Sequence, residues 1–399
     1  MKAIKRILSR TSLVLLAALL LISGAAGLAD HLVPDCIAVF EGAVPSAGML
    51  GTLTVEGEAI GEQSGGEALA TFHLFGVLPI KEVTVKSYRE RTLVPGGGLF
   101  GLRAPLGGVL VTSLEKGERG GSPAASAGLL RGDLITAVNG TAIKTASELS
   151  SAIGKSGGQP LTLTVIRGER TLTFTLTPEC RDATEGWRAG LYVKDTVAGI
   201  GTVTFIDPET GFFGGLGHGV YDGGSKTPLA IARGAVTGVG LSGVKEGTPG
   251  SPGELTGHLE AEKVGTLFKN TDCGVFGVLH QEVSVEDAIP IGLSSEVRVG
   301  RAEILSTVKE GAPCRYTIEI TSLRGERGSA KSFSIRVVDK QLLKETGGIV
   351  QGMSGSPIIQ NGKLVGAVTH VMIGDPTSGY GIYIENMLDA ASEVGTQAA

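Results

Sequence analysis

The sequence holds one tryptophan among 399 residues, and its aromatics amount to only 5%. No block of Lys and Arg occurs beyond the N-terminus. Acids and bases are interspersed at a formal net charge of −5, which excludes a nucleic-acid-binding face. The four cysteines, Cys36, Cys180, Cys273 and Cys314, are widely scattered without a C-x-x-C pair. Metal-ligand spacing is therefore absent, and neither a metal nor another cofactor is implied. Glycine, by contrast, is abundant at 63 residues, and hydrophobic residues make up 42%. That combination suits short strands joined by tight turns, because glycine enters positive φ without steric cost. The length asks for two or three folded units.

The N-terminus has the form of an export signal. Lys2, Lys5, Arg6 and Arg10 precede an apolar run from Leu13 to Ile22, and small residues follow to Ala29. This predicts a signal-like or membrane-anchor segment over residues 1–29, with everything beyond it outside the cytoplasm. Residues 30–94 alternate in short stretches and predict a strand-rich linker or stalk.

Residues 95–178 change character. The loop Gly98-Leu99-Phe100-Gly101-Leu102 leads to the apolar stretch Val109-Leu110-Val111. The short helix Ser122-Pro123-Ala124-Ala125-Ser126-Ala127-Gly128-Leu129 follows, then Gly132-Asp133-Leu134-Ile135 running into an Asn139-Gly140 turn. This combination resembles a PDZ domain of the bacterial type. The resemblance implies peptide binding by strand addition. Leu99, Phe100, Gly101 and Leu102 would hold a terminal carboxylate, and the helix from Ala146 to Ile153 would form the opposite wall.

Residues 180–399 read as short strands separated by turns, which predicts an all-β barrel or pair of barrels with only the tail from Ile384 helical. Its chemistry centres on Gly352-Met353-Ser354-Gly355-Ser356-Pro357. A serine on a tight glycine-flanked turn ahead of a β-hairpin exposes its hydroxyl and aims local amides outward, as acyl transfer requires. The pattern resembles the nucleophile loop of chymotrypsin-like serine proteases. By position, Ser354 attacks and the amides of Gly352 and Ser354 form the oxyanion hole, with Ser356 the rival nucleophile. Of six histidines, His218 in its Gly-rich turn is favoured as base and His370, sixteen residues after Ser354, is the alternative; His31, His73, His258 and His280 suit structural roles. Asp339, at a strand end, is a candidate orienting acid beside Asp207, Asp222, Asp272 and Asp375.

The order of targeting segment, PDZ domain and protease barrel resembles the stage IV sporulation protein B peptidases. The strings Gly217-His218-Gly219, Val338-Asp339 and Gly347 to Pro357 carry that likeness, together with Thr369-His370-Val371. It implies a mainly β fold and a catalytic triad of His218, Asp339 and Ser354. It also implies export to the space between mother cell and forespore. There the enzyme would cleave itself, between Val33 and Tyr88, and then a membrane-bound inhibitor of an intramembrane protease. An HtrA-like quality-control protease and an inactive PDZ adaptor are the alternatives.

Overall fold

The structure is a computed structural model. It describes residues 23, 24, 27, 33–43, 51–55, 66–74, 77–115, 122–168, 170–180, 186–221, 227–229, 231, 233–280, 283–323 and 329–395. The signal-like segment falls almost wholly outside these. No helix among the described residues is long and apolar enough to cross a membrane.

The N-terminal sheet contains β1 (Cys36–Phe40), β2 (Gly51–Val55), β3 (Glu67–Leu74) and β4 (Leu78–Tyr88), in the order β1-β4-β3-β2. Period-two alternation buries Phe72, Val83 and Val85 in its own core, while Leu69 faces out.

A short strand, β5 (Thr92–Pro95), precedes the long β6 (Leu99–Leu114). The PDZ unit then follows, with α1 (Pro123–Ser126), β7 (Leu134–Val138), β8 (Thr141–Ala142), α2 (Ala146–Lys155), β9 (Leu161–Arg167) and β10 (Arg170–Leu176). The Asn139-Gly140 turn between β7 and β8 forms as its sequence predicts, both residues at positive φ. Thr145 and Glu148 close a capping box on α2. After β11 (Glu179–Cys180) and β12 (Trp187–Arg188) comes the second long strand, β13 (Leu191–Ile206).

Five further strands are β14 (Phe212–Gly215), β15 (Gly234–Lys245), β16 (Glu254–Thr271), β17 (Gly274–Leu279) and β18 (Ile289–Pro290). The pairings β6-β15-β16-β17-β14-β13 return to β6, closing a six-stranded ring. Phe100, Leu102, Phe213, Val236 and Leu267 fill it.

The second barrel closes through β19 (Gly300–Ser306), β20 (Cys314–Leu323), β21 (Phe333–Val337), β22 (Pro357–Gln360), β23 (Lys363–Met372) and β24 (Asp375–Tyr383). Its order is β19-β20-β21-β24-β23-β22. A helix α3 (Lys340–Thr346) follows β21, and α4 (Ile384–Gly395) ends the described chain. Only α4 was expected. The signal for α3 is nonetheless local: Asp339 caps its N-terminus and Gly347, at φ +72°, terminates it. A shared cluster including Phe205, Phe276, Leu364, Ile382 and Met387 joins the two barrels to α4.

Two expectations change here. Leu99 to Leu102 do not form a PDZ loop; they open β6, pair with β13 on one side, and β15 reaches Gly101 and Leu102 on the other. Phe100 and Leu102 are buried in the first barrel at 2% exposure. The Leu-Phe-Gly-Leu string that the PDZ resemblance assigned to a carboxylate loop belongs to a barrel strand. The unit boundaries move accordingly. The PDZ core runs from Val109 to Ala189, with Leu191 and Val193 packed on it, so it is an insertion between two strands of the first barrel.

Candidate active site

The nucleophile loop sits on β23. Gly355 N–H donates to Val368 O at 2.7 Å and Val368 N–H donates back to Ser356 O at 2.9 Å. Met353 is fully buried in the second barrel's core and anchors the loop from below. Gly352 and Gly355 hold φ of +99° and +98°, and a Cβ at Gly355 would lie 2.5 Å from Leu216 N. These glycines permit both the turn and the close approach of the first barrel.

Two serines in this loop differ in access. Ser356 is fully buried, with its hydroxyl 3.1 Å from that of Ser306. Ser354 is half-buried, and its Oγ donates to Thr369 O at 2.8 Å. The amides of Met353, Gly355 and Ser356 are taken by Val350, Val368 and Met353 carbonyls. Among the described residues, none accepts from Gly352 N–H or Ser354 N–H. Those are the two donors a tetrahedral oxyanion would need.

Opposite this loop, Leu216 and Gly217 turn the chain after β14. Both are left-handed, at φ +67° and +66°. Leu216 is the one non-glycine other than asparagine in that region among the described residues. Gly217 lies directly on β23, where a Cβ would come 2.9 Å from the Thr369 methyl. This brings His218 over the strand, its ring centroid 4.9 Å from that of His370. His218 and Ser354 thus flank the same residue, Thr369.

His218 Nδ1 lies 2.8 Å from Gly219 O. A proton on Nδ1 donated to that carbonyl leaves Nε2 as the basic nitrogen, the tautomer a general base requires. Burial lowers the His218 pKa, opposed by the Gly219 bond. His370 is lowered as well, to about 4, by burial and then by the charges of His218 and Lys331. Among the described residues its buried Nδ1 has no hydrogen-bond partner. Both rings are thus held neutral at physiological pH.

Asp339 is not brought to this cluster. Its Oδ1 accepts from Gln341 N at 2.9 Å and Leu342 N at 3.1 Å, capping α3, and Oδ2 accepts from Thr317 N at 3.1 Å. Thr317 lies on β20, on the side of β21 away from β24 and β23. Burial pulls the carboxyl up, but the three amides outweigh it and hold it below the ordinary aspartate range. Among the described residues no hydrogen bond joins it to His218. Asp207, Asp272 and Asp375 are likewise engaged elsewhere, with Arg91, Tyr221, and Thr377 and Ser378. Asp222 and His31 lie outside the described residues. His73, His258 and His280 sit on or beside β3, β16 and β17, away from the loop.

Sequence reasoning passed over Thr202 and Thr204. Both are fully buried on β13. Thr202 N–H donates to Ser354 O at 3.0 Å and its hydroxyl to Gly352 O at 2.7 Å; the Thr204 hydroxyl donates to Gly355 O at 2.8 Å. Nothing local marks these threonines, since their partners lie about 150 positions on.

Two six-stranded barrels meeting at a glycine-flanked serine and a half-buried histidine define a serine endopeptidase of chymotrypsin-like architecture. The SpoIVB peptidase S55 family model matches residues 185–388, and a PDZ domain model matches residues 119–167. The chain belongs to the SpoIVB peptidase S55 family. Mitochondrial serine protease HTRA2 of Drosophila willistoni is 41% identical over 59 residues, 15% of this chain and 13% of that protein. The chain thus matches a small fraction of that relative's length. Among solved structures, the PDZ domain of the SdrC-like protein from Listeria monocytogenes is 25% identical, covering 22% of this chain and 86% of that one, at a TM-score of 0.19. Rv3671c from M. tuberculosis is 15% identical, covering 50% of this chain and 83% of that one, at 0.27.

Proposed function

We propose that this chain is an exported endopeptidase of sporulation signalling in which Ser354 is the nucleophile and His218 the general base. The observation that carries the catalytic reading is that Ser354 Oγ and the turn bearing His218 both meet Thr369, beside a loop whose Gly352 and Ser354 amides have no acceptor among the described residues. On this reading the Ser354 hydroxyl, donated to Thr369 O at rest, turns to His218 Nε2 when substrate binds. The imidazole takes the proton as Oγ attacks the substrate carbonyl, and the Gly352 and Ser354 amides receive the oxyanion. His218 then returns the proton to the leaving amine, and water repeats the sequence to release the acyl group. Gly219 O holds the imidazole's tautomer, and Asp339 serves the site indirectly by capping α3, which leads through Gly347 into the nucleophile loop.

Family membership supports the wider role: self-cleavage before Tyr88, then cleavage of the extracytoplasmic part of a membrane-bound inhibitor, freeing an intramembrane protease. The basic and apolar N-terminus supports tethering or secretion. N-terminal sequencing of wild type and Ser354→Ala from one host tests this. The wild type is expected to yield a shortened chain and the variant a full-length one; processing in both would overturn the nucleophile.

The inactive-adaptor reading has one observation in its favour, the Ser354 hydroxyl donating to a carbonyl instead of His218. It requires that the purified wild type fail to react with a fluorophosphonate probe, whereas an active Ser354 is labelled. The HtrA-like reading requires degradation of unfolded proteins at large.

A further inference from the structure

The two amides offered to the oxyanion are held from different places. Ser354 N–H belongs to the peptide unit whose carbonyl, Met353 O, accepts from Ser356 N–H at 2.9 Å, so the loop itself fixes it. Gly352 N–H belongs to the unit whose carbonyl, Gln351 O, accepts at 2.8 Å from Leu255 N–H on β16. β15 and β16 form a long hairpin that starts in the first barrel, where Val236 and Leu267 are core residues. It ends in the core of the second, where Leu255 is buried and Leu241 and Val244 pack. Its tip turns at Thr248-Pro249-Gly250-Ser251, where Thr248 and Ser251 exchange backbone hydrogen bonds at 2.9 Å and Gly250 stands at φ +84°. The hairpin end then laces the segment before Ser354. Gly247 N–H donates to Thr346 O at 2.9 Å, and Gln351 N–H donates to Gly253 O at 2.8 Å.

We propose that Leu255 is a positioning residue for the reaction: the end of the β15–β16 hairpin sets the Gly352 amide that receives the oxyanion. The inference rests on the catalytic reading given above. A trans peptide unit is planar, with its N–H and C=O pointing in opposite directions, and no cis peptide bond occurs among the described residues. The bond from Leu255 N–H to Gln351 O therefore aims Gly352 N–H away from the hairpin, where no described residue accepts it. Glycine needs such a latch. Gly352 stands at φ +99°, and glycine enters negative φ as readily, so the Gln351–Gly352 unit is free to turn over and present its carbonyl instead. Leu255 opposes that turn through its N–H and also through its side chain. At 6% exposure it packs so closely that a Cβ on Gly352 would come 3.1 Å from Leu255 Cβ. A donor aimed in advance costs no reorganisation when the oxyanion forms.

The test is kinetic and uses the full chain, with a peptide spanning its self-processed bond as substrate. Leu255→Ala is expected to lower kcat by about tenfold or more with KM little changed; loss of a whole oxyanion donor costs about 10²–10³. The same peptide ending in an aldehyde at that bond reads the hole directly. Ser354 Oγ adds to the aldehyde carbon, the serine proton passes to His218, and the former carbonyl oxygen becomes an anion facing the two amides. The matching alcohol undergoes no addition. Leu255→Ala should weaken inhibition by the aldehyde in step with kcat/KM and leave inhibition by the alcohol unchanged. Leu255→Met, which refills the space, should restore most of kcat. Ile320→Ala opens a cavity in the same core on β20 and should lower Tm while keeping kcat. Unchanged kcat in Leu255→Ala, or equal weakening of aldehyde and alcohol, would overturn the assignment. If Leu255→Ala does not fold, Leu255→Val gives the same decision through the aldehyde-to-alcohol ratio. A wild type that neither cuts the peptide nor takes a fluorophosphonate label overturns the catalytic reading and this inference with it. An active wild type beside an unimpaired Leu255→Ala overturns this inference alone.

Discussion

At the nucleophile loop, two serines one residue apart have opposite environments, and the buried hydroxyl of Ser356 on Ser306 leaves Ser354, the one flanked by Gly352 and Gly355, as the accessible one. Asp339 is the residue on which sequence and geometry diverge most. A helix cap needs an acceptor, which asparagine also provides, whereas an acid orienting an imidazole is not replaced by it. Asp339→Asn is therefore expected to keep kcat/KM within about threefold of wild type. Asp339→Ala should lose about 1 kcal/mol of stability in urea titrations. A collapse of kcat in Asp339→Asn at unchanged stability would restore the triad. The histidines predict a pH dependence. The lowered His218 pKa keeps the base neutral below 6.5, so the acid limb of kcat/KM should fall below the ordinary imidazole value. For stability the sign follows from proton binding. Between 6.5 and about 4 the unfolded chain protonates His370 more than the folded one does, so stability declines as pH falls through that window. His370→Gln should flatten the decline in Tm.

At the scale of elements, β13 is the unusual member. Its first residues wall the PDZ groove, and its later ones hold the nucleophile loop through Thr202 and Thr204. Replacing the Thr204 hydroxyl strands a buried carbonyl, at a cost of about 1–3 kcal/mol. Thr202→Val removes the bond to Gly352 O but keeps the backbone bond to Ser354 O. It should lower kcat about tenfold through misplacement of the loop, with KM little changed. Steady-state kinetics on a processed peptide separates the two parameters, and an unchanged kcat would remove Thr202 from the positioning shell. That these threonines matter was not legible, since a buried threonine on an apolar strand is common.

In the whole molecule, the PDZ unit interrupts a barrel. A chain starting at residue 180, where the sequence suggests the peptidase unit begins, lacks β5 and β6 and leaves the first ring open. It should show no cooperative thermal transition. Pro105 and Thr196 are register partners, so replacing residues 106–195 with an Asn-Gly turn closes a hairpin and should retain one. Circular dichroism melts of the two proteins check this.

The serine loop, the Gly-His-Gly turn, the Asn139-Gly140 turn and both classes of unit were determined by the sequence itself, because each depends on residues within a few positions of one another. The tertiary structure alone decided how the Ser354 loop is held and that Leu99 to Leu102 belong to a barrel. Those outcomes depend on pairings between β6 and β13 and between β13 and the Ser354 loop. Such contacts join positions far apart in the chain, and no local pattern of side chains records them.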